Sequence, residues 1–216
     1  MPVLIRGDSN MIVMPLSYSA SAIARSFEVI EEITIAEKRY LIIFDKKTPR
    51  ASIVKAELED VGGELRHVAV AMLELNNQKS IGDNVISVER FWEDSSVLQV
   101  EGVCVDRRYQ ELGFATQLYE ALVIKCGVIL MSDNTQYEGG KALWQKIAKS
   151  SNALSVFILD SDAGLFFPYD GTKAIYDGIS IPEEKIWSVH PDVEHFGIVL
   201  IAEDKRRVET LTFSNE

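Results

Sequence analysis

Val103-Cys104-Val105-Asp106-Arg107-Arg108-Tyr109-Gln110-Glu111-Leu112-Gly113-Phe114-Ala115-Thr116-Gln117-Leu118-Tyr119 is the stretch that decides how this chain is read. Its first residues close an apolar run from Val97 to Val105 that reads as a central strand, and Ala115, Leu118, Tyr119, Leu122 and Val123 recur at helical spacing towards Lys125. Between them, Gln110-Glu111-Leu112-Gly113-Phe114-Ala115 fits the pattern Gln/Arg-x-x-Gly-x-Gly/Ala. A loop running straight into a helix presents backbone N–H groups without intrahelical partners at the positive end of the helix dipole, which suits an anion such as a pyrophosphate. Gly113 lets a ligand approach the backbone and tolerates unusual dihedrals, and Ala115 keeps the first turn uncrowded. A six-residue pattern alone also describes a plain turn before a helix, so its weight depends on its surroundings.

Those surroundings alternate. Downstream, Cys126-Gly127 closes the helix, Val128 to Met131 reads as a buried strand, Thr135 to Lys149 as a second helix, and Ala153 to Leu159 as a further strand. Strand-helix-strand-helix-strand order favours an α/β layer whose first two strands are parallel through a right-handed crossover. Upstream, Ile23, Phe27 and Ile30 predict an amphipathic helix within Tyr18 to Glu32, followed by strands over Arg39 to Phe44, His67 to Asn76 and Val85 to Trp92. Beyond Asp160 the chain turns loop-rich, with Gly164, Pro168, Gly171, Gly178 and Pro182, before a last apolar strand from Phe196 to Ala202. The expected organisation is one domain over residues 1–160 with a C-terminal extension, 161–216, packed on the same sheet.

Composition excludes several classes. Apolar residues make up 47% and charged residues 25% of the 216, the balance of a chain that folds around its own core. No apolar run approaches the roughly 20 residues that span a bilayer, and Met1 to Arg25 lacks the pattern of a signal peptide, so a cytoplasmic protein with no membrane partner is expected. Cys104 and Cys126 each lie in apolar segments and read as buried free thiols. The net charge of -11, from 33 acidic and 22 basic residues, disfavours contact with nucleic-acid backbones. Solubility explains that charge, and imitation of DNA is the sharper alternative.

With this context, the Val103 to Tyr119 stretch resembles the strand, loop and helix with which GNAT-type N-acetyltransferases hold acetyl-CoA. Gly127 to Ser132 resembles the family's next strand, and Asn134 followed by Ala142-Leu143-Trp144-Gln145-Lys146-Ile147 its following helix. The Ser132-Asp133-Asn134 to Trp144 variant is similar to GNAT-like proteins of bacteriophages. The resemblance covers about 60 residues and implies a mixed, mostly antiparallel central sheet flanked by helices, with two central strands parallel and splayed.

It also implies roles. Val103, Cys104 and Val105 would pair with the pantetheine arm, and Gln110, Glu111, Leu112, Gly113, Phe114, Ala115 and Thr116 would form the pyrophosphate loop, with Asn134 nearby. Acetyl-CoA would be a co-substrate, and an amine of a small molecule or protein would attack its thioester directly. Glu101 is the candidate base, an exposed strand carboxylate being its plainer reading; Tyr137 and Ser132 are candidate donors to the leaving thiolate. Two departures weaken the parallel: Trp144 stands where many members have a tyrosine, and an indole N–H gives up no proton in this range; Glu111 puts a negative charge in the loop. The alternative implied is a catalytically inactive GNAT-like binding protein, a phage factor inhibiting a host protein. A homodimer is compatible with either.

Other constellations carry less. His190-Pro191-Asp192-Val193-Glu194-His195 implies no third ligand, and Asp160-Ser161-Asp162-Ala163-Gly164 opens like a calcium loop but meets Gly171 at its twelfth position, so no metal is expected. Phe157, Phe166, Phe167 and Tyr169 read as cover for a sheet edge, with a substrate wall as the alternative.

Overall fold

The computed structural model describes residues 2–5, 13–76, 80–81, 84–85, 97–133, 135–188 and 197–207. The elements begin β1 (Val3–Ile5), β2 (Ser17–Tyr18), α1 (Ala20–Ser26), β3 (Glu28–Ile35), β4 (Lys38–Asp45), β5 (Arg50–Val61), β6 (Glu64–Asn76), β7 (Ser80–Ile81), β8 (Asn84–Val85) and β9 (Val97–Val105). They continue α2 (Phe114–Cys126), β10 (Ile129–Met131), β11 (Thr135–Tyr137), α3 (Glu138–Ser150), β12 (Leu154–Asp160), β13 (Leu165–Phe166) and β14 (Ile198–Asp204). The fold is α/β, with a large mixed sheet flanked by a few helices. The elements group into two compact units, and β9 runs from one into the other.

One unit holds β2 to β6, α1, the second half of β9 and α2. Strands β3, β4, β5 and β6 form an antiparallel meander in sequence order, because short turns join strands rich in Val, Ile and Thr. Gly62 and Gly63, at φ 67° and 87°, make the two-residue turn between β5 and β6, whose flanking residues Val61 and Glu64 pair. The β3–β4 turn uses the same positive dihedrals without glycine, at Ala36 (φ 49°) and Glu37 (φ 63°), between paired Ile35 and Lys38. On one face Tyr18, Ile23, Ile43, Val54 and Ala69 form a buried cluster. Elsewhere α2 packs on β3 and β5, and Tyr40 meets Phe114 edge-on at 4.8 Å between ring centres.

The other unit runs β13-β12-β14-β10-β9. Here β9 and β10 are parallel, with Val97, Leu98 and Gln99 opposite Ile129, Leu130 and Met131, and β14 lies antiparallel between β10 and β12. Val97, Ile129, Met131, Phe157, Leu159, Val199 and Ile201 form its core, each at most 2% exposed. Leu143, Trp144 and Ile147 are the buried side of α3. The segment after β12 continues along that strand's edge: Phe167 N–H donates to Ile158 O (2.9 Å) and Tyr176 N–H to Val156 O (2.7 Å). It crosses α3 so closely at Gly178 that a Cβ there would lie 2.7 Å from Gln145 O.

Three expectations from periodicity need correction. The helix expected within Tyr18 to Glu32 spans only Ala20–Ser26, and Glu28–Ile35 is a strand: the apolar spacing fits a helix, but five β-branched residues in eight pair better with β4. The second helix starts at Glu138 instead of Thr135, since Thr135–Tyr137 pairs in parallel with β1. The twelve-residue β5 occupies a stretch for which no strand is expected. The strand expected over Val85 to Trp92 lies outside the described residues beyond Val85.

Ala36 and Glu37 each occupy a backbone region costing about 1 kcal/mol for L side chains other than Asn or Gly. The double substitution Ala36→Asn/Glu37→Gly should therefore stabilise the protein by about 1 kcal/mol in urea unfolding, with an unchanged m-value.

Candidate functional site

The predicted loop is a strand–turn–helix unit built by local hydrogen bonds. As β9 ends, the Asp106 N–H donates to Val70 O of β6 at 2.9 Å. The Asp106 carboxylate then accepts from the Arg108 backbone N–H (2.9 Å) and from the guanidinium Nε (3.1 Å) and Nη2 (2.9 Å). These bonds fix one turn of 3-10 helix over Arg107–Tyr109. The Arg108 side chain, then its backbone N–H, hold the Asp106 carboxyl below the usual aspartate range. Tyr109 leans its ring on Phe114, the first residue of α2, at 5.9 Å, and Phe114 in turn meets Tyr40. The Lys55 ammonium sits 5.7 Å from the Tyr109 ring centre and 2.7 Å from Glu59 Oε1. The turn is thus clamped on both sides before the helix begins.

Glu111 (φ 67°) and Gly113 (φ 85°) are both left-handed, which turns the chain sharply into α2. No atom lies within 4 Å of where a Gly113 Cβ would stand, so the space before the helix is open. The first intrahelical bond is Gln117 N–H to Gly113 O, at 3.0 Å. The N–H groups of Phe114, Ala115 and Thr116 precede it and have no partner within the helix. No acidic side chain occupies the first turn. Gln110 and Leu112 are exposed, and Gln110 Nε2 reaches Val105 O only at 3.5 Å. This geometry can receive an anion on backbone N–H groups.

The other predicted residues divide between the two units. Val103, Cys104 and Val105 are half-buried on β9, and Glu101 is exposed on the same strand. Burial, then the neighbouring Asp106, push the Cys104 thiol up, away from nucleophilic reactivity. Ser132, in the other unit, is 0% exposed; its hydroxyl oxygen accepts the Leu200 N–H at 3.0 Å and its own N–H donates to Leu200 O at 2.8 Å. Tyr137 is the last residue of β11 and the N-cap of α3, half-buried, not one turn inside the helix as periodicity predicts. Trp144 is 2% exposed among the packing residues of α3. Asn134 and the His190 to His195 segment lie outside the described residues.

Sequence reasoning missed Lys55, Tyr40 and Tyr109, because their meeting requires β4 and β5 to be placed against the turn. Among the described residues, no group of three or more His, Cys, Asp or Glu could hold a metal ion, and no helix is long and apolar enough to cross a membrane. The Asp160 carboxylate, which opens the calcium-like stretch, instead accepts the N–H groups of Asp162 and Ala163, each at 3.0 Å. Compared with known proteins, the chain matches no family model, no curated protein and no solved structure.

Asp106→Ala removes the acceptor that holds the turn and should cost about 1 kcal/mol at neutral pH. Because the folded carboxyl titrates below its unfolded value, its contribution is present above the unfolded pKa and is lost as pH falls through the folded one. Urea denaturation of both proteins should therefore show the gap between them constant down to about pH 4 and closing below it.

Proposed function

We propose that this protein is an acetyl-CoA-dependent N-acetyltransferase of the GNAT type, transferring acetyl to a primary amine of a small molecule or protein. The observation that carries the reading is the start of α2: left-handed Gly113, the open space beside it, and the N–H groups of Phe114 to Thr116 ahead of the first intrahelical bond. Three aligned backbone donors and the positive helix end suit the pyrophosphate of coenzyme A. The sheet is consistent with the family's arrangement, being mostly antiparallel with β9 and β10 as a parallel pair joined through α2.

In this reading, the backbone of Val103 to Val105 pairs with the pantetheine arm and Gln110 to Thr116 receive the phosphates. The neutral amine adds to the thioester carbonyl and gives its proton to a base, for which Glu101 is the exposed carboxylate on the same strand. Collapse of the intermediate expels the thiolate, which then takes up a proton.

A second reading, an inactive GNAT-like binding protein with a host protein as partner, draws on two observations. Trp144 occupies the usual tyrosine position and packs in the interior, and the Ser132 hydroxyl oxygen is engaged with Leu200 away from solvent. Neither supplies an accessible acid.

Isothermal titration with acetyl-CoA, followed by assay of thiol release with added amines, separates the two. The acetyltransferase reading expects a Kd in the micromolar range that is lost in Gly113→Glu, which forces an L side chain into left-handed φ and adds a negative charge beside the loop. Glu111→Asn, which removes the loop's negative charge and keeps a residue tolerant of left-handed φ, should tighten binding about threefold to tenfold. A folded protein with no heat of binding overturns this reading; binding without turnover across a panel of amines favours the second.

A further inference from the structure

The β5 strand does not run straight, and its departure brings a lysine to the loop. Val54 pairs with Ala69 of β6 and Leu58 with His67, so Lys55, Ala56 and Glu57 stand opposite Val68 alone. A bulge of this kind gives up ladder hydrogen bonds, bends its strand and re-aims side chains. One bond is replaced: His67 Nδ1 lies 2.8 Å from Lys55 O, and since a carbonyl only accepts, the ring donates there. On its other edge Lys55 keeps its register opposite Tyr40 of β4. In a regular strand residues four apart are separated by about 13 Å. Across this bulge Lys55 Nζ meets Glu59 Oε1 at 2.7 Å.

The bulge thereby delivers the Lys55 ammonium to the Tyr109 ring, 5.7 Å from its centre, where the Arg108 guanidinium lies at the same distance. The Lys55 side chain is only 19% exposed, so little water screens the contact. Tyr109 meets Phe114 at 5.9 Å, and Tyr40, the neighbour of Lys55 across the sheet, meets the same Phe114 at 4.8 Å. Lys55 is therefore tied to Phe114 by two routes, one through the sheet and one through the loop. Phe114 is the first residue of α2 and 1% exposed, and its N–H is one of those ahead of the first intrahelical bond. Stability alone favours an unbroken ladder, which keeps more hydrogen bonds.

We infer that Lys55 is a positioning residue for the phosphates of the coenzyme, an inference that rests on reading the start of α2 as the coenzyme site. Lys55 acts through Tyr109: by holding that ring against Phe114 it sets the direction of the N–H groups that receive the ligand.

The test is isothermal titration of the full chain with acetyl-CoA, at a temperature where circular dichroism shows every variant folded, so that lost stability leaves Kd unmoved. Lys55→Met, similar in length and without the charge, should weaken binding about fivefold, and Lys55→Arg, whose guanidinium can rest on the same ring, should bring it back to within about twofold of the unmodified protein. Tyr109→Leu and the double variant complete a thermodynamic cycle. If Lys55 acts through Tyr109, the double variant binds no more weakly than Tyr109→Leu alone. Additive losses, about 25-fold where each single variant loses fivefold, reveal a charge acting directly on the phosphates and overturn the proposal. An unchanged Kd in Lys55→Met overturns it as well, while leaving the coenzyme site standing. If Lys55→Met does not fold, His67→Ala takes its place in the cycle, because it loosens the bulge and keeps the Lys55 charge. Weaker binding that disappears in the Tyr109→Leu background then supports the proposal, and an unchanged Kd overturns it. No heat with the unmodified protein overturns the coenzyme reading and this inference together.

Discussion

The backbone pairing of β9 is the constraint on which the rest depends. Val97 to Gln99 are fixed in parallel register against Ile129 to Met131, and just past the strand's other end the Asp106 N–H is fixed to Val70 O. A parallel neighbour cannot be reached by a tight turn, so the chain must leave β9, cross over and return. The crossover is α2, and its start is consequently delivered to the end of β9. The anion-type loop is thus a product of the topology: the join between a strand and the helix that must follow it leaves helix N–H groups without intrahelical partners there, as it does in other α/β folds.

What the topology leaves open, side chains close. A connection from Asp106 to Gly113 could adopt many shapes, and fixing each residue costs about 1–2 kcal/mol of conformational entropy. The exposed Asp106–Arg108 pair is screened by solvent, and the Tyr109–Phe114 and Tyr40–Phe114 contacts are each worth about 0.5–1.5 kcal/mol. Individually none would order the loop. They are mutually supporting because Phe114 is shared by both aromatic contacts and is also the first residue of the helix, so ordering one orders the next.

The strand, loop and helix around Gly113 were legible because their signals are local: an apolar run, a glycine, and a 3.6-residue period within one short segment. The β3 strand was misread because Ile23, Phe27 and Ile30 satisfy the helical period while Val29, Ile30, Ile33, Thr34 and Ile35 favour a strand; pairing with β4 decided between them, and that partner lies beyond a turn whose left-handed Ala36 and Glu37 carry no turn signature. The start of α3 was misplaced for a similar reason, since the partner of Thr135–Tyr137 is Val3–Ile5, more than a hundred residues away. Lys55 at the loop was illegible for the same physical cause: a long-range contact leaves no periodicity at either end.

Glu111 poses the remaining question of magnitude, whether one carboxylate beside the loop cancels what the helix offers an anion. The dipole effect at a helix end is worth about 0.3–1 kcal/mol per charge at an exposed position, and a like charge in the loop works against it by a similar amount. Hydrogen bonds from backbone N–H groups to a charged oxygen contribute about 1.5–3 kcal/mol each, and three N–H groups stand ahead of that of Gln117. Glu111 is exposed, and its left-handed backbone belongs to the turn that precedes Gly113, so water and salt screen its carboxylate. The directional term exceeds the repulsive one. Glu111 therefore weakens the pull of the helix start on an anion without cancelling it.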